Sequence, residues 1–322
     1  MNHQDTKNTK NRWVGNALRA FPTPAWCSWC LGGFLLAAFT ATAYAGKKEP
    51  PPGSVAYVKD GAVWRAPLAA PDQPTKLADV AGAAAVVHMA AAADGTALLI
   101  DLGDNAIWID LEKPEPIYLP CRGGRISADG HRVLCAARGS GAVVYRVRPR
   151  LGSSPLAGVD PAHVAAAGER VIVEQDGHLA ALGGDVVAPE APAADFSIAP
   201  DGERAVGRYG EGDEESLYGF RLDGRATRRK LMPGTPVAWS SDSTWLALAS
   251  GEEACAVRAA GGEYKCWKGY RALAIGPGGA LALVAQPGED GTLALFLAPT
   301  AGARAQRPAP LLPSVRGATL LP

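Results

Sequence analysis

One short turn signature constrains this chain more than anything else in it: an apolar residue, two others, then Asp-Gly, then a β-rich run. It stands as AAADGTALL (91–99), ISADGHRVL (126–134) and IAPDGERAV (198–206). Weaker copies are VAAAGERVI (164–172), WSSDSTWLAL (239–248) and IGPGGALAL (275–283). The residue before the turn glycine, or before its substitute, falls at 94, 129, 167, 201, 242 and 278, at intervals of 35, 38, 34, 41 and 36. Asp94, Asp129, Asp201 and Asp242 are therefore the repeat turn anchors, with Ala167 and Gly278 standing in at the other two. Asp-Gly suits a tight hairpin turn because both residues tolerate positive φ at low cost. A near-constant period of this size marks a repeat architecture.

Each anchor is followed by a strand-like apolar run, and then by a second signature carrying an aromatic residue. That residue is Trp64, Trp108, Tyr145, Tyr218 or Phe296. Each unit thus holds about four short strands in ~40 residues, which is the requirement of a propeller blade. A single four-stranded sheet leaves both faces bare, and radial stacking of the sheets covers them. A β-sandwich also spaces strands regularly, but it has no reason to repeat one turn chemistry at a fixed interval. The expected fold is all-β, a β-propeller of seven four-stranded blades.

The count rests on both ends of the repeat region. Ser54–Val80 supplies three strands with no first strand before them, and Gly317–Leu321 is an orphan strand-like stretch. Pairing the two completes a seventh blade, closes the ring and removes an exposed sheet edge. With a disordered tail, six blades would be the count.

The stretches IAPDGERAV, SLYGFRLDGRATRRKL and WSSDSTWLAL resemble the repeats of TolB-type, WD-like β-propellers. Those repeats carry a Phe/Trp-Ser-Pro-Asp-Gly turn, a strand, then Leu-Tyr and an Asp-Gly ending. The resemblance covers Ser54 to the C-terminus, most closely around Asp201 and Asp242. It implies a propeller scaffold used for binding. The amino-terminal domain that accompanies the TolB propeller has no counterpart here, so that domain's partner does not carry over.

The first 45 residues stand apart. Lys7, Lys10, Arg12 and Arg19 precede an apolar run, Cys30–Ala45, that ends in Ala43-Tyr44-Ala45. A basic segment, a short apolar run and an A-x-A ending describe a signal peptide with cleavage at Ala43/Ala45; an uncleaved N-terminal anchor is the alternative. The run is short for a span, which takes ~20 apolar residues. Residues 46–53 read as a proline-rich linker and 54–322 as the propeller domain. Export implies a periplasmic or secreted protein in a disulfide-permissive compartment. Acidic and basic residues number 32 each in the whole chain, and residues 1–45 carry four basic and one acidic. The remainder therefore has 28 basic against 31 acidic residues, a balance that gives no pull toward nucleic acid.

Beyond the signal region the cysteines are Cys121, Cys135, Cys255 and Cys266. ACAVRAAGGEYKC reads as a hairpin centred between Ala260 and Gly261, which places Cys255 opposite Cys266 as disulfide partners. A Cys121–Cys135 bridge would staple the third blade where the chain enters it. These spacings fit no usual zinc set. No Gly-x-Ser-x-Gly elbow, His-Glu-x-x-His or phosphate-binding glycine motif occurs, and no cofactor, metal or catalytic residue is implied. His88, His131, His163 and His178 fall at different repeat positions and read as turn or surface residues. The acidic run Glu211–Ser216 and the basic run Arg225–Lys230 read as a solvated loop and a turn. The functional expectation is an exported binding or scaffold protein, a monomeric ring with protein partners, touching membrane only through an uncleaved N-terminus. A propeller-type hydrolase or lyase with a site at the channel mouth is the alternative.

Overall fold

In the computed structural model, residues 53–137, 141–168, 170–210, 215–301 and 306–322 are described. The signal region, with Ala43 and Ala45, nearly all of the linker, and Glu211–Glu214 of the acidic run lie outside them. The described chain is a β-propeller of seven four-stranded antiparallel sheets. We number the blades one to seven along the chain, and the strands of each as inner, second, third and outer from the ring axis. Blades two to seven take consecutive strands within 88–119, 122–156, 164–188, 194–230, 235–268 and 271–315. Blade one takes Ser54–Lys59, Ala62–Pro67 and Thr75–Asp79 as its outer three strands. Its inner strand is Gly317–Leu321, which pairs antiparallel with Ser54–Lys59 from Ser54↔Leu321 to Val58↔Gly317. The ring is closed by its C-terminal strand, and seven is the blade count.

The strand pattern explains why these sequences read as continuous apolar runs rather than alternations. A second strand lies between two neighbouring blades and is buried on both faces, as in Ala97–Asp101, where all five residues are buried. Successive side chains point to opposite faces, so they enter different interfaces. Leu98 and Ile100 pack against blade one, while Ala97 and Leu99 pack against blade three. Likewise Leu246 and Leu248 face blade five, and Trp245 and Ala247 face blade seven. Seven apolar clusters result, one at each blade-to-blade interface. Outer strands lie at the rim and are more exposed: Arg228–Lys230 is exposed throughout, and Ala309–Val315 buries only Val315.

Antiparallel pairing sends the inner-to-second turns to one face of the ring, with the third-to-outer turns. The second-to-third loops and the blade-to-blade connections emerge on the other. We call these the turn face and the connection face. The Asp-Gly signatures therefore all lie on one side of the molecule.

Candidate functional site

The turn face is built to hold the ring. In four blades the anchor aspartate folds its own turn. Asp94 Oδ1 accepts from the Thr96 backbone N (2.9 Å) and hydroxyl (2.8 Å), and Asp201 Oδ1 accepts from the backbone N of Glu203 (2.9 Å) and Arg204 (3.2 Å). Ser127 and Ser240 donate their hydroxyls to Asp129 (2.5 Å) and Asp242 (2.6 Å). Burial raises the Asp242 carboxyl, but hydrogen bonds from Ser240, Thr244 and the Gly278 N–H outweigh it and hold the group below the usual carboxylate range. That stabilisation is present above the unfolded-state pKa and is lost as pH falls through the lowered value.

Each turn also grips its neighbour. The residue after the anchor has positive φ in all six copies, from 57° at Gly168 to 73° at Gly95, with Ser243 at 62°. Its carbonyl is then free to accept from the preceding blade. Arg132 donates to Gly168 O (2.5 Å), Arg170 to Gly202 O (3.1 Å) and Arg204 to Ser243 O (2.8 Å). The Trp108 indole does the same to Gly130 O (2.9 Å), and Gly278 N donates to Asp242 Oδ2 (2.7 Å). Ser243 stands where other blades have glycine and uses its side chain: its hydroxyl accepts from Asp201 N (2.8 Å). The Arg at anchor-plus-three in DGHR, AGER and DGER was present in the repeat pattern, but its reach into the next blade was not.

The connection face is irregular. Five inner-to-second turns have five residues each (92–96, 127–131, 199–203, 240–244 and 276–280). Connections on the opposite face range from one residue, Arg316, to eight at 80–87, and the fully described loops from two at 60–61 to five at 288–292. This face carries Val87, 71% exposed, and the Arg122–Asp104 ion pair (2.7 Å).

Between the faces runs a central cavity of about 550 Å³, lined by the inner strands of all seven blades. Much of its wall is Ala, Ile, Val and Pro, and His88, Asp101, Arg125, Asp195 and several Ser and Thr residues line it as well. His88 and Asp101 are register partners on the inner and second strands of blade two. Burial lowers the His88 pKa while Asp101 opposes it, so the imidazole is neutral at pH 7. Asp195 sits at a bulge in the inner strand of blade five, at φ 56°, and accepts from Arg208 Nε (2.9 Å) and Nη2. Arg125 follows a second bulge, Gly123-Gly124, and Nη1 donates to Val164 O (3.3 Å) and Phe196 O (3.0 Å). The Trp239 indole, from blade six, donates to Ser197 Oγ (3.0 Å).

Reading the histidines as turn or surface residues needs correction at one position: His88 lines the cavity. His163 ends the 3-10 turn Pro161–His163 as a turn residue, contacts Glu174 and has Nε2 3.3 Å from Ala193 O. Arg125 and Trp239 carried no sequence signal as cavity residues, because the contacts that place them cross from one blade to another, and Asp195 carried none because it is placed by a bulge within blade five.

Both cysteine pairs are at disulfide distance. Cys255 and Cys266 are register partners on the third and outer strands of blade six, with Cα atoms 4.1 Å apart. Glu253 stands within 4.8 Å, but sulfurs bonded to each other leave no thiolate for a metal. Cys121, in the connection from blade two, is bonded to Cys135 on the second strand of blade three, with Cα atoms 5.4 Å apart. Chain-entropy reasoning gives about 3 kcal/mol for closing so short a loop. A Cys255→Ala/Cys266→Ala double variant is expected to lose about that much stability in urea unfolding; an unchanged midpoint would show that the strand ladder alone holds blade six.

No family model matches the sequence, and no curated protein matches it either. Among solved structures the chain is similar to TolB from Acinetobacter baumannii, with a TM-score of 0.51 and 15% identity over 84% of this chain and 67% of that one. It is also similar to a functionally unknown protein from Desulfotomaculum acetoxidans, with a TM-score of 0.51 and 12% identity over 83% of this chain and 98% of that one. At such identities the likeness is one of fold, and it places this seven-bladed ring among the β-propellers.

Proposed function

We propose that this chain is an exported β-propeller that binds a protein of the cell envelope or its surroundings through the connection face. The observation that carries this reading is the contrast between the two faces. The inner-to-second turns, five residues long in five blades and hydrogen-bonded from blade to blade, are committed to holding the ring, although the fully described third-to-outer turns beside them run from four residues at 182–185 to seven at 68–74. Loops of unequal length on the other side are free to differ, and variable loops on a rigid scaffold are where binding residues concentrate. The two disulfides support an oxidising compartment, because such bonds are rare in reducing ones.

The test is capture from a cell-envelope extract by the immobilised, oxidised protein. Replacing 80–87 with a Gly/Ser segment of equal length is expected to abolish capture of the partner. Replacing exposed residues on the third-to-outer turns of the opposite face, 222–227 or 259–263, is expected to leave capture unchanged. Loss of capture with the second set and not the first would assign binding to the wrong face and overturn the proposal.

A further inference from the structure

Arg125 is a cation in the ring cavity without an anionic partner. Nη1 makes two hydrogen bonds, both to neutral carbonyls. Among the described residues, Nε and Nη2 have no hydrogen-bond acceptor, and no carboxylate forms an ion pair with the guanidinium. The nearest compensating charges are Asp195 and Asp160, which act only at a distance. Asp195 is moreover committed to Arg208. The Arg125 side chain is exposed to the cavity rather than sealed in the wall, so Nε and Nη2 are open to a ligand that enters it.

The side chain is also held in one place. The chain leaves blade three at the Gly123-Gly124 bulge, passes the small residues of the inner strand of blade four, Val164–Ala167, and reaches blade five. There it meets Phe196 O, one residue before the serine that accepts the Trp239 indole. A guanidinium from blade three and an indole from blade six are thus fixed on successive residues of one strand. Around them the wall offers Ile198, Val237, Ile275 and Leu320 as apolar contacts, alongside the hydroxyl residues Thr235, Ser241 and Thr319.

We propose that the cavity binds a small organic monocarboxylate, its carboxylate paired with Arg125 and its apolar or aromatic body packed against Trp239, Ile198 and Ile275. A guanidinium presents paired N–H donors that match a carboxylate, which is the preferred geometry for such recognition. One unpaired cation fits one negative charge; a phosphate dianion would want more, and Asp101 and Asp195 on the same wall would oppose it. A volume of about 550 Å³ lies in the range of small-molecule sites, which are mostly apolar with a few placed polar groups. This site is separate from the connection-face loops and stands or falls apart from them.

The test is isothermal titration of the purified oxidised chain with 4-phenylbutyrate and with 4-phenylbutan-1-ol, which share the body and differ in the head group. The acid is expected to bind one-to-one and the alcohol about tenfold more weakly, as loss of a charge-assisted pair demands. Arg125→Met is expected to erase the preference, and Arg125→Lys to keep part of it. If Arg125→Met fails to fold, the acid-to-alcohol ratio on the unaltered chain and the Lys variant still decide. Equal binding of the two probes, binding of neither, or an undiminished preference in Arg125→Met would each overturn the proposal and leave Arg125 as a brace between blades three and five.

Discussion

Deletion of Gly317–Pro322 is expected to abolish cooperative folding of the ring. The lost strand is the inner strand of blade one, and five register pairs with Ser54–Val58 go with it. It also contributes to two interfaces. Leu321 belongs to the cluster between blades one and two, and Ala318 to the one between blades seven and one. Truncation therefore bares the edge of Ser54–Lys59 and opens two apolar interfaces at once. The loss should be on the order of 5 kcal/mol or more, comparable with the entire stability of an ordinary domain. Thermal unfolding with simultaneous light scattering checks this: the truncated chain should show no sharp transition and should associate. A Leu321→Ala variant, with its fully folded ring intact, should lose about 2–3 kcal/mol through the buried methyl groups removed. A truncated chain melting cooperatively near the parent temperature would mean that closure adds little to stability.

Gly279→Ala is the second large effect expected, and its neighbour supplies the control. Gly278 and Gly279 both have φ of 64°. A Cβ on Gly278 would meet open space, whereas one on Gly279 would fall 2.3 Å from ring atoms of Trp245. Trp245 is 8% exposed and fills the interface between blades six and seven, so it has no room to retreat. Gly278→Ala should cost about 1–2 kcal/mol, the penalty for a side chain in the left-handed region. Gly279→Ala adds overpacking to that penalty and should cost about 3 kcal/mol or more. The left-handed conformation alone is tolerable here, since Ser243 adopts it at the corresponding position of blade six. Urea unfolding of the two variants side by side separates the terms; equal costs would show that Trp245 moves aside freely.

The ring was legible in the sequence because its strongest signals are local. An Asp-Gly turn is written in adjacent residues, and the second strand after it is apolar on both faces, so period and strand count follow from short windows. The orphan strands at 54–80 and 317–321 implied closure through chain ends alone. Blade four shows how much the pattern tolerates. Ala167 replaces the anchor aspartate, yet Gly168 keeps φ at 57° and accepts Arg132 from the preceding blade. The Cys255–Cys266 pairing was readable because a tight hairpin fixes its register by symmetry.

The candidate site was not legible, for the opposite reason. Arg125 and Phe196 are 71 residues apart, and the contact depends on two blades being rotated into place around an axis. Nothing near Arg125 distinguishes it from Arg122, which is exposed as well, except the glycine bulge between them. Trp239 appeared only as a weak copy of a turn signature, although its indole faces the cavity wall of blade five. His88 and Asp101 became a pair only once the register of blade two was fixed.

The most direct test of an exported, disulfide-stapled binding ring is the intact mass of the chain recovered from the exported fraction, with thiols alkylated before and after reduction. The proposal predicts a chain lacking residues 1–45, with four cysteines that take up label only after reduction. A full-length mass, or four cysteines labelled without reduction, would contradict it.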